Sequence, residues 1–269
     1  MDNRPIGIFD SGLGGLTVLS EIIKNSPNES VVYFGDCGRT PYGNKSKDTV
    51  IKYAFQDIRF LLNQDIKSIV IACNTVSAYS LSYVKKEFNS IHILEVIGPG
   101  SKAAVEATKN KKIGVIGTNA TISSGVYENA IRELDNSTEV YSKACPLFVP
   151  LVEEGWWNNE ITYRTAQEYL LSLKEKEIDT LVLGCTHYPL IKDTIQKVVG
   201  ENVKLVSSAT EISKMINKII LDDNLTRDEK IQPVYRYYTT DSVEKFEELG
   251  SKILGHSIFS VEKVDIEKY

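Results

Sequence analysis

The stretch Ile66-Lys67-Ser68-Ile69-Val70-Ile71-Ala72-Cys73 aligns without a gap to Ile178-Asp179-Thr180-Leu181-Val182-Leu183-Gly184-Cys185, and this internal match decides the fold. Each copy is a short run of β-favouring apolar residues ending in cysteine, the pattern of a strand buried on both faces. A second pair precedes them in the same order: Ile6-Gly7-Ile8-Phe9-Asp10-Ser11 matches Ile113-Gly114-Val115-Ile116-Gly117-Thr118. The separation from Ile6 to Cys73 is close to that from Ile113 to Cys185. Matched segments in matched order imply two copies of one unit.

Outward from these runs, strands alternate with segments of helical period. A helix near 15–24 separates the first strand from one at 31–34, and 46–63 places Val50, Tyr53, Ala54, Ile58, Leu61 and Leu62 on one helical face before the strand at 68–72. Further strands are expected at 113–116, 180–183 and 203–206, and helices at 123–134 and 163–176. This is an α/β chain with mainly parallel sheets; an all-β fold is excluded. Flexible linkers are absent. Gly and Pro interrupt the pattern at Ile97-Gly98-Pro99-Gly100, where the chain is expected to pass from one domain to the next. Two copies related by a pseudo-twofold would bring their strand ends, and so Cys73 and Cys185, to opposite walls of one cleft. Ligands of open α/β sheets bind at such ends.

With 269 residues and 42% hydrophobic content, the chain can bury one large core or two smaller ones. The net charge of −5 arises from 31 basic and 36 acidic residues spread along the sequence. No Lys/Arg block follows a phosphate backbone, so nucleic acid is not an expected partner. The polar start, Met1 to Pro5, lacks the apolar core of a signal peptide, and no apolar run reaches membrane-spanning length. Cys37, Cys73, Cys145 and Cys185 form no C-x-x-C pair and are expected to be free thiols in a reducing cytoplasm.

Cys73 is followed by Asn74-Thr75 and Cys185 by Thr186-His187, each at a strand end ahead of an expected helix. A helix N-terminus favours the thiolate, the form that acts as a base. An unperturbed thiol, with a pKa of about 8.5, is only a few per cent ionised at neutral pH. His187 could take or share the Cys185 proton. Asp10 and Ser11 either face the same cleft, where Asp10 could orient an ammonium group or assist a thiol, or cap the following helix. Cys37 and Cys145 have no matched partner. Gly12, Gly14 and Gly15 suggest a dinucleotide loop, but Thr17 stands where its third glycine belongs and Asp10 would repel a pyrophosphate. Cys185-Thr186-His187 is too tight for zinc ligands. Neither cofactor nor metal is expected.

Five segments resemble the glutamate racemases, of the Asp/Glu racemase family: Phe9-Asp10-Ser11-Gly12-Leu13-Gly14-Gly15; Tyr33-Phe34-Gly35-Asp36 with Pro41-Tyr42-Gly43; Ala72-Cys73-Asn74-Thr75; Cys145-Pro146-Leu147-Phe148-Val149-Pro150 with Glu153; and Gly184-Cys185-Thr186-His187-Tyr188-Pro189. The resemblance runs over most of the chain. It implies interconversion of L- and D-glutamate without pyridoxal phosphate, in the cytoplasm, for peptidoglycan, by a homodimer. It implies that Cys73 takes the proton of D-glutamate with support from Asp10, and Cys185 that of L-glutamate with support from His187 and Glu153. Substrate contacts fall to Asp10, Ser11, Asn74, Thr75, Thr118, Thr121, Thr186 and His187, with Tyr42 and Gly43 gripping the side-chain carboxylate through backbone N–H groups. Two similar α/β domains are implied, 1–97 with 206–269 and 98–205. Ser207-Ser208 departs from the family's frequent Asp-Ser. Aspartate racemases tend to carry Glu after the second Cys-Thr, so His187 favours glutamate. The competing readings are an aspartate racemase and an amino-acid binder without turnover.

Overall fold

The computed structural model describes residues 1–269. Ten strands make two parallel sheets: β1 (Ile6–Asp10), β2 (Val31–Gly35), β3 (Ser68–Ile71), β4 (His92–Glu95), β5 (Lys112–Gly117), β6 (Glu139–Ala144), β7 (Thr180–Gly184), β8 (Lys204–Ser207), β9 (Tyr235–Thr239) and β10 (Glu262–Lys263). The first sheet runs β10-β9-β2-β1-β3-β4 and the second β6-β5-β7-β8. The four strands β2-β1-β3-β4 therefore repeat as β6-β5-β7-β8, with β9 and β10 added at the outer edge of the first set. Register repeats too. Ile6 faces Ser68 and Phe9 faces Ile71 in one sheet, as Ile113 faces Thr180 and Ile116 faces Leu183 in the other.

The repeated Ile-Gly pair has a packing cause. A Cβ on Gly7 would lie 2.6 Å from Ile66 Cδ1, and one on Gly114 would lie 2.6 Å from Ile178 Cδ1. In each half the isoleucine leading into the cysteine strand fills the space the glycine leaves open. Helices cover both faces of both sheets, as parallel crossovers require. Ile8, Tyr33 and Val70 join a 22-residue core on one face of the first sheet, and Phe9, Phe34 and Ile71 an 18-residue core on the other. The second sheet has its own pair of cores, built around Leu181 with Leu183 and around Val115 with Val182.

Helix Lys47–Leu62 lies where its period predicts, with Ser46 as N-cap accepting from the Thr49 N–H. Two local expectations are corrected. The segment expected as one helix over 123–134 is two, Asn119–Ser123 and Val126–Leu134, parted by Gly125 at φ 68°. The helix expected directly after the Cys185 strand is delayed: Tyr188–Ile191 is a 3-10 turn, closed by Tyr188 N–H to Cys185 O and Leu190 N–H to His187 O, Pro189 has no N–H to offer an α-helical ladder, and α-helix Lys192–Val199 begins only after it. Ile97-Gly98-Pro99-Gly100 opens helix Ile97–Ala107. The Glu95 carboxylate accepts from the Ile97 and Gly98 N–H groups at 2.6 and 2.9 Å, and Pro99 fits the first turn, where its missing N–H has no intrahelical partner. The chain leaves the first sheet after β4 and returns after β8. Val206 and Ser207 therefore lie in the second sheet, slightly past the boundary read from the sequence.

Candidate active site

The carboxyl ends of β1 and β3 face those of β5 and β7 across a small, tightly closed cavity. Ser11, Tyr42, Gly43, Cys73, Asn74, Thr75, Thr118, Cys185, Thr186 and His187 line it, as expected from the sequence. Pro41 and Val149 line it as well. They were not singled out as site residues, although each lies inside a segment that carries the family resemblance.

Asp10, Thr121 and Glu153 sit behind the wall. Asp10 is fully buried; its Oδ2 accepts from the Gly12 and Gly15 N–H groups at 3.2 and 3.0 Å, and its Oδ1 from the Thr186 hydroxyl at 3.2 Å. It thus pins the turn that enters helix Leu16–Asn25 and ties that turn to the Cys185 segment. Burial raises the Asp10 pKa, against the opposing pull of His187 and those hydrogen bonds. Thr121 stands behind Thr118, hydroxyl to hydroxyl at 3.0 Å, while Thr118 meets Thr75 at 2.9 Å. Glu153 reaches the cavity through His187, whose Nε2 lies 3.1 Å from Glu153 Oε1.

The two thiols differ in surroundings. Cys73 directly precedes helix Asn74–Glu87, and burial, reinforced by the charge of Asp10, pushes its pKa up to about 12 against the pull of the Val76 N–H and the Ser11 hydroxyl. It rests as a thiol. Cys185 Sγ lies 3.7 Å from His187 Nδ1. Burial opposes charge on His187, but the bonds to Cys185 and Glu153 prevail and raise its pKa well above the usual imidazole range. His187 thus stands between a carboxylate and the Cys185 sulfur. The helix N-terminus expected to favour a thiolate is present at Cys73, but burial and Asp10 outweigh it there. Cys145 is buried against the Lys143 carbonyl, and neither it nor Cys37 lines the cavity.

Tyr42 contributes its backbone. Its phenol is buried and engaged by Asp36 and Asp57, with Arg39 held 2.6 and 3.0 Å from the two acids. This network fixes the Pro41-Tyr42-Gly43 turn. Gly43 in turn packs so closely on Thr118 that an added Cβ would fall 2.4 Å from the Thr118 Cβ.

A family model described as Asp/Glu/Hydantoin racemase matches residues 32–216, a span that includes both cysteines. The chain belongs to this family. Among curated relatives, the glutamate racemase of Geobacter metallireducens is 46% identical over 264 residues, covering 98% of this chain and 97% of its own length. A glutamate racemase isoform from Bacillus anthracis superposes with a TM-score of 0.94 at 42% identity, over 98% of each chain. The Francisella tularensis glutamate racemase, solved in complex with D-glutamate, superposes at 0.93 with 40% identity over the full length of both chains. As a member of a racemase family, the chain has to remove a proton from one face of a stereocentre and return one to the other. A cavity with an acid/base group on each side suits that task.

Proposed function

We propose that the chain interconverts L- and D-glutamate by two-base proton transfer between Cys73 and Cys185. The observation carrying this reading is that two thiols, from equivalent strand ends of a duplicated unit, line one small cavity. The first half, with β1–β4, β9 and β10, supplies Cys73, and the second, with β5–β8, supplies Cys185. With L-glutamate, the Cys185 thiolate, paired with the His187 imidazolium, takes the α-proton and leaves the electron pair of the broken C–H bond on the α-carbon; the Cys73 thiol then delivers its own proton to the opposite face. One C–H bond breaks and another forms, and the two sulfurs exchange protonation states. D-glutamate runs the sequence in reverse.

Charge building at the α-carbon is offset by donors already in place: the Ser11, Thr75 and Thr118 hydroxyls and the Asn74 amide. Asn74 Nδ2 is buried without a partner, as expected of a group that awaits a carboxylate. The Tyr42 and Gly43 N–H groups receive the side-chain carboxylate. Family resemblance supports a homodimer and a role in supplying D-glutamate to peptidoglycan in the cytoplasm; no helix is long and apolar enough to cross a membrane.

Incubation of the enzyme with either glutamate enantiomer in deuterated water tests the reading. Full racemisation with α-deuterium uptake is expected, with turnover abolished in Cys73→Ser and in Cys185→Ser, since a hydroxyl is a far weaker acid than a thiol. Binding of glutamate without α-hydrogen exchange in the wild type would assign the cavity to an amino-acid binder, and faster turnover on aspartate would reassign the substrate.

A further inference from the structure

Tyr127 is buried, 2% exposed, on helix Val126–Leu134 against the second sheet, while Asn74 opens helix Asn74–Glu87 against the first. The Tyr127 hydroxyl crosses between them and donates to Asn74 Oδ1 at 2.7 Å. The other end of the same amide, Nδ2, has no partner although Asn74 is only 3% exposed and lines the cavity. One phenol therefore holds the carbonyl end of the amide and leaves both N–H bonds to the cavity.

The surroundings of the ring serve that bond. A Cβ on Gly184 would lie 3.1 Å from Tyr127 Cε2, and one on Gly100 would lie 3.4 Å from the Tyr127 hydroxyl. The first half of the repeat has Ala72 at the position of Gly184, and no tyrosine passes there. Ser208 lies beside Gly100, its Cβ 3.0 Å from where a Gly100 Cβ would be. Burial with the nearby Glu95 charge keeps the phenol protonated and able to donate to Asn74. Two glycines without a role in the proton transfer, Gly100 and Gly184, thus leave room for one side chain.

We propose that Tyr127 is a positioning residue that sets the orientation of the Asn74 amide from the opposite sheet, so that Asn74 presents N–H donors to a substrate carboxylate only when the two halves are closed. This deepens the glutamate reading and rests on it for the identity of the carboxylate. An amide free to rotate would present its carbonyl oxygen to the anion part of the time, and an acceptor facing a carboxylate repels it.

The test is Tyr127→Phe in the full-length enzyme, which removes one oxygen and keeps the ring. The KM for D-glutamate is expected to rise about tenfold, the scale of one charge-assisted hydrogen bond, with kcat changed less than threefold. In an Asn74→Ala background the same substitution should add nothing further to KM. A KM within twofold of wild type in Tyr127→Phe, or effects of the two substitutions that multiply independently, would overturn the proposal. Should Tyr127→Phe fail to fold by circular dichroism, Gly100→Ala, whose Cβ would stand 3.4 Å from the Tyr127 hydroxyl, displaces the phenol and is read the same way, with a smaller rise in KM that vanishes in Asn74→Ala. Calorimetric Kd values for D-glutamate give the same ratios without turnover, so intact binding in a wild type that does not racemise would sink the catalytic reading and leave this one measurable.

Discussion

Gly14→Ala should disable the Cys185 side of the site without touching either cysteine. An added Cβ would stand 2.5 Å from His187 Nδ1 and 2.5 Å from Thr186 Oγ1, about 1 Å inside ordinary contact. His187 cannot yield easily, being 2% exposed and fixed by Glu153 at 3.1 Å. A retreat of about 1 Å would carry Nδ1 out of reach of Cys185 Sγ, now at 3.7 Å, and misplacement on that scale costs roughly 10²-fold in rate. L- and D-glutamate have equal free energy in water, so kcat/KM must fall by the same factor in both directions. The direction of the damage appears in isotope effects. Abstraction by Cys185 becomes the slow step from L-glutamate, so the α-deuterium effect on kcat/KM should grow with L-[2-²H]glutamate. From D-glutamate the slow step becomes protonation by Cys185, and the substrate isotope effect should shrink. Overpacking is expected to cost about 1–3 kcal/mol of stability, so the assay is made on protein shown to be folded. Unchanged activity, or an isotope effect that grows with the D enantiomer, would refute the reasoning.

Two further outcomes follow from the electrostatics. Glu153→Gln removes one of the two partners that raise the His187 pKa, so ¹⁵N NMR of the imidazole should find its titration moved to lower pH. A raised histidine pKa adds stability that is full below the unfolded value of about 6.5 and is lost as pH climbs through the folded value; in Glu153→Gln that loss should be smaller and complete at lower pH, and an unmoved titration would count against the triad. Tyr42→Phe takes the shared hydroxyl from Asp36 and Asp57 and should cost about 1–3 kcal/mol in urea unfolding. Burial and the charge of Asp36 already raise the Asp57 pKa against the pull of Arg39 and Tyr42, so folding takes up a proton and stability falls as pH rises from the unfolded carboxylate value to the folded one. That fall should be larger in Tyr42→Phe, and a loss under ~0.5 kcal/mol would mean that the phenol does not hold the turn.

The duplicated strands were legible because a parallel strand buried on both faces has to be a short apolar run, and because Gly7 with Ile66 and Gly114 with Ile178 encode one contact twice. What strand patterns could not convey was partnership. Tyr235–Thr239 pairs with β2 some two hundred residues upstream, and nothing local in Tyr235-Arg236-Tyr237-Tyr238-Thr239 says so. Asp36, Arg39 and Asp57 read as surface charges until the fold buries them together. The helix expected directly after Cys185 starts only at Lys192 for a local reason, the Pro189 turn, and Tyr127 escaped notice because its partner Asn74 arrives from a separate segment.

Duplication explains the placement of the two sulfurs, and divergence explains their chemistry. Thr75 and His187 occupy equivalent positions after their cysteines, yet one offers a hydroxyl and the other an imidazole whose pKa its partners raise. On the opposite wall, burial and Asp10 raise the Cys73 pKa and favour the thiol there. Two identical thiols in a symmetric pocket would hold a shared proton on either sulfur with equal preference. On the proposed two-base route, unequal neighbours set which sulfur acts first as acid, so one L-glutamate turnover leaves the protons on the wrong sulfurs for a second. The enzyme must then exchange protons with water or with His187 before repeating the step, and a duplicated fold whose halves had not diverged would have no such preference to restore.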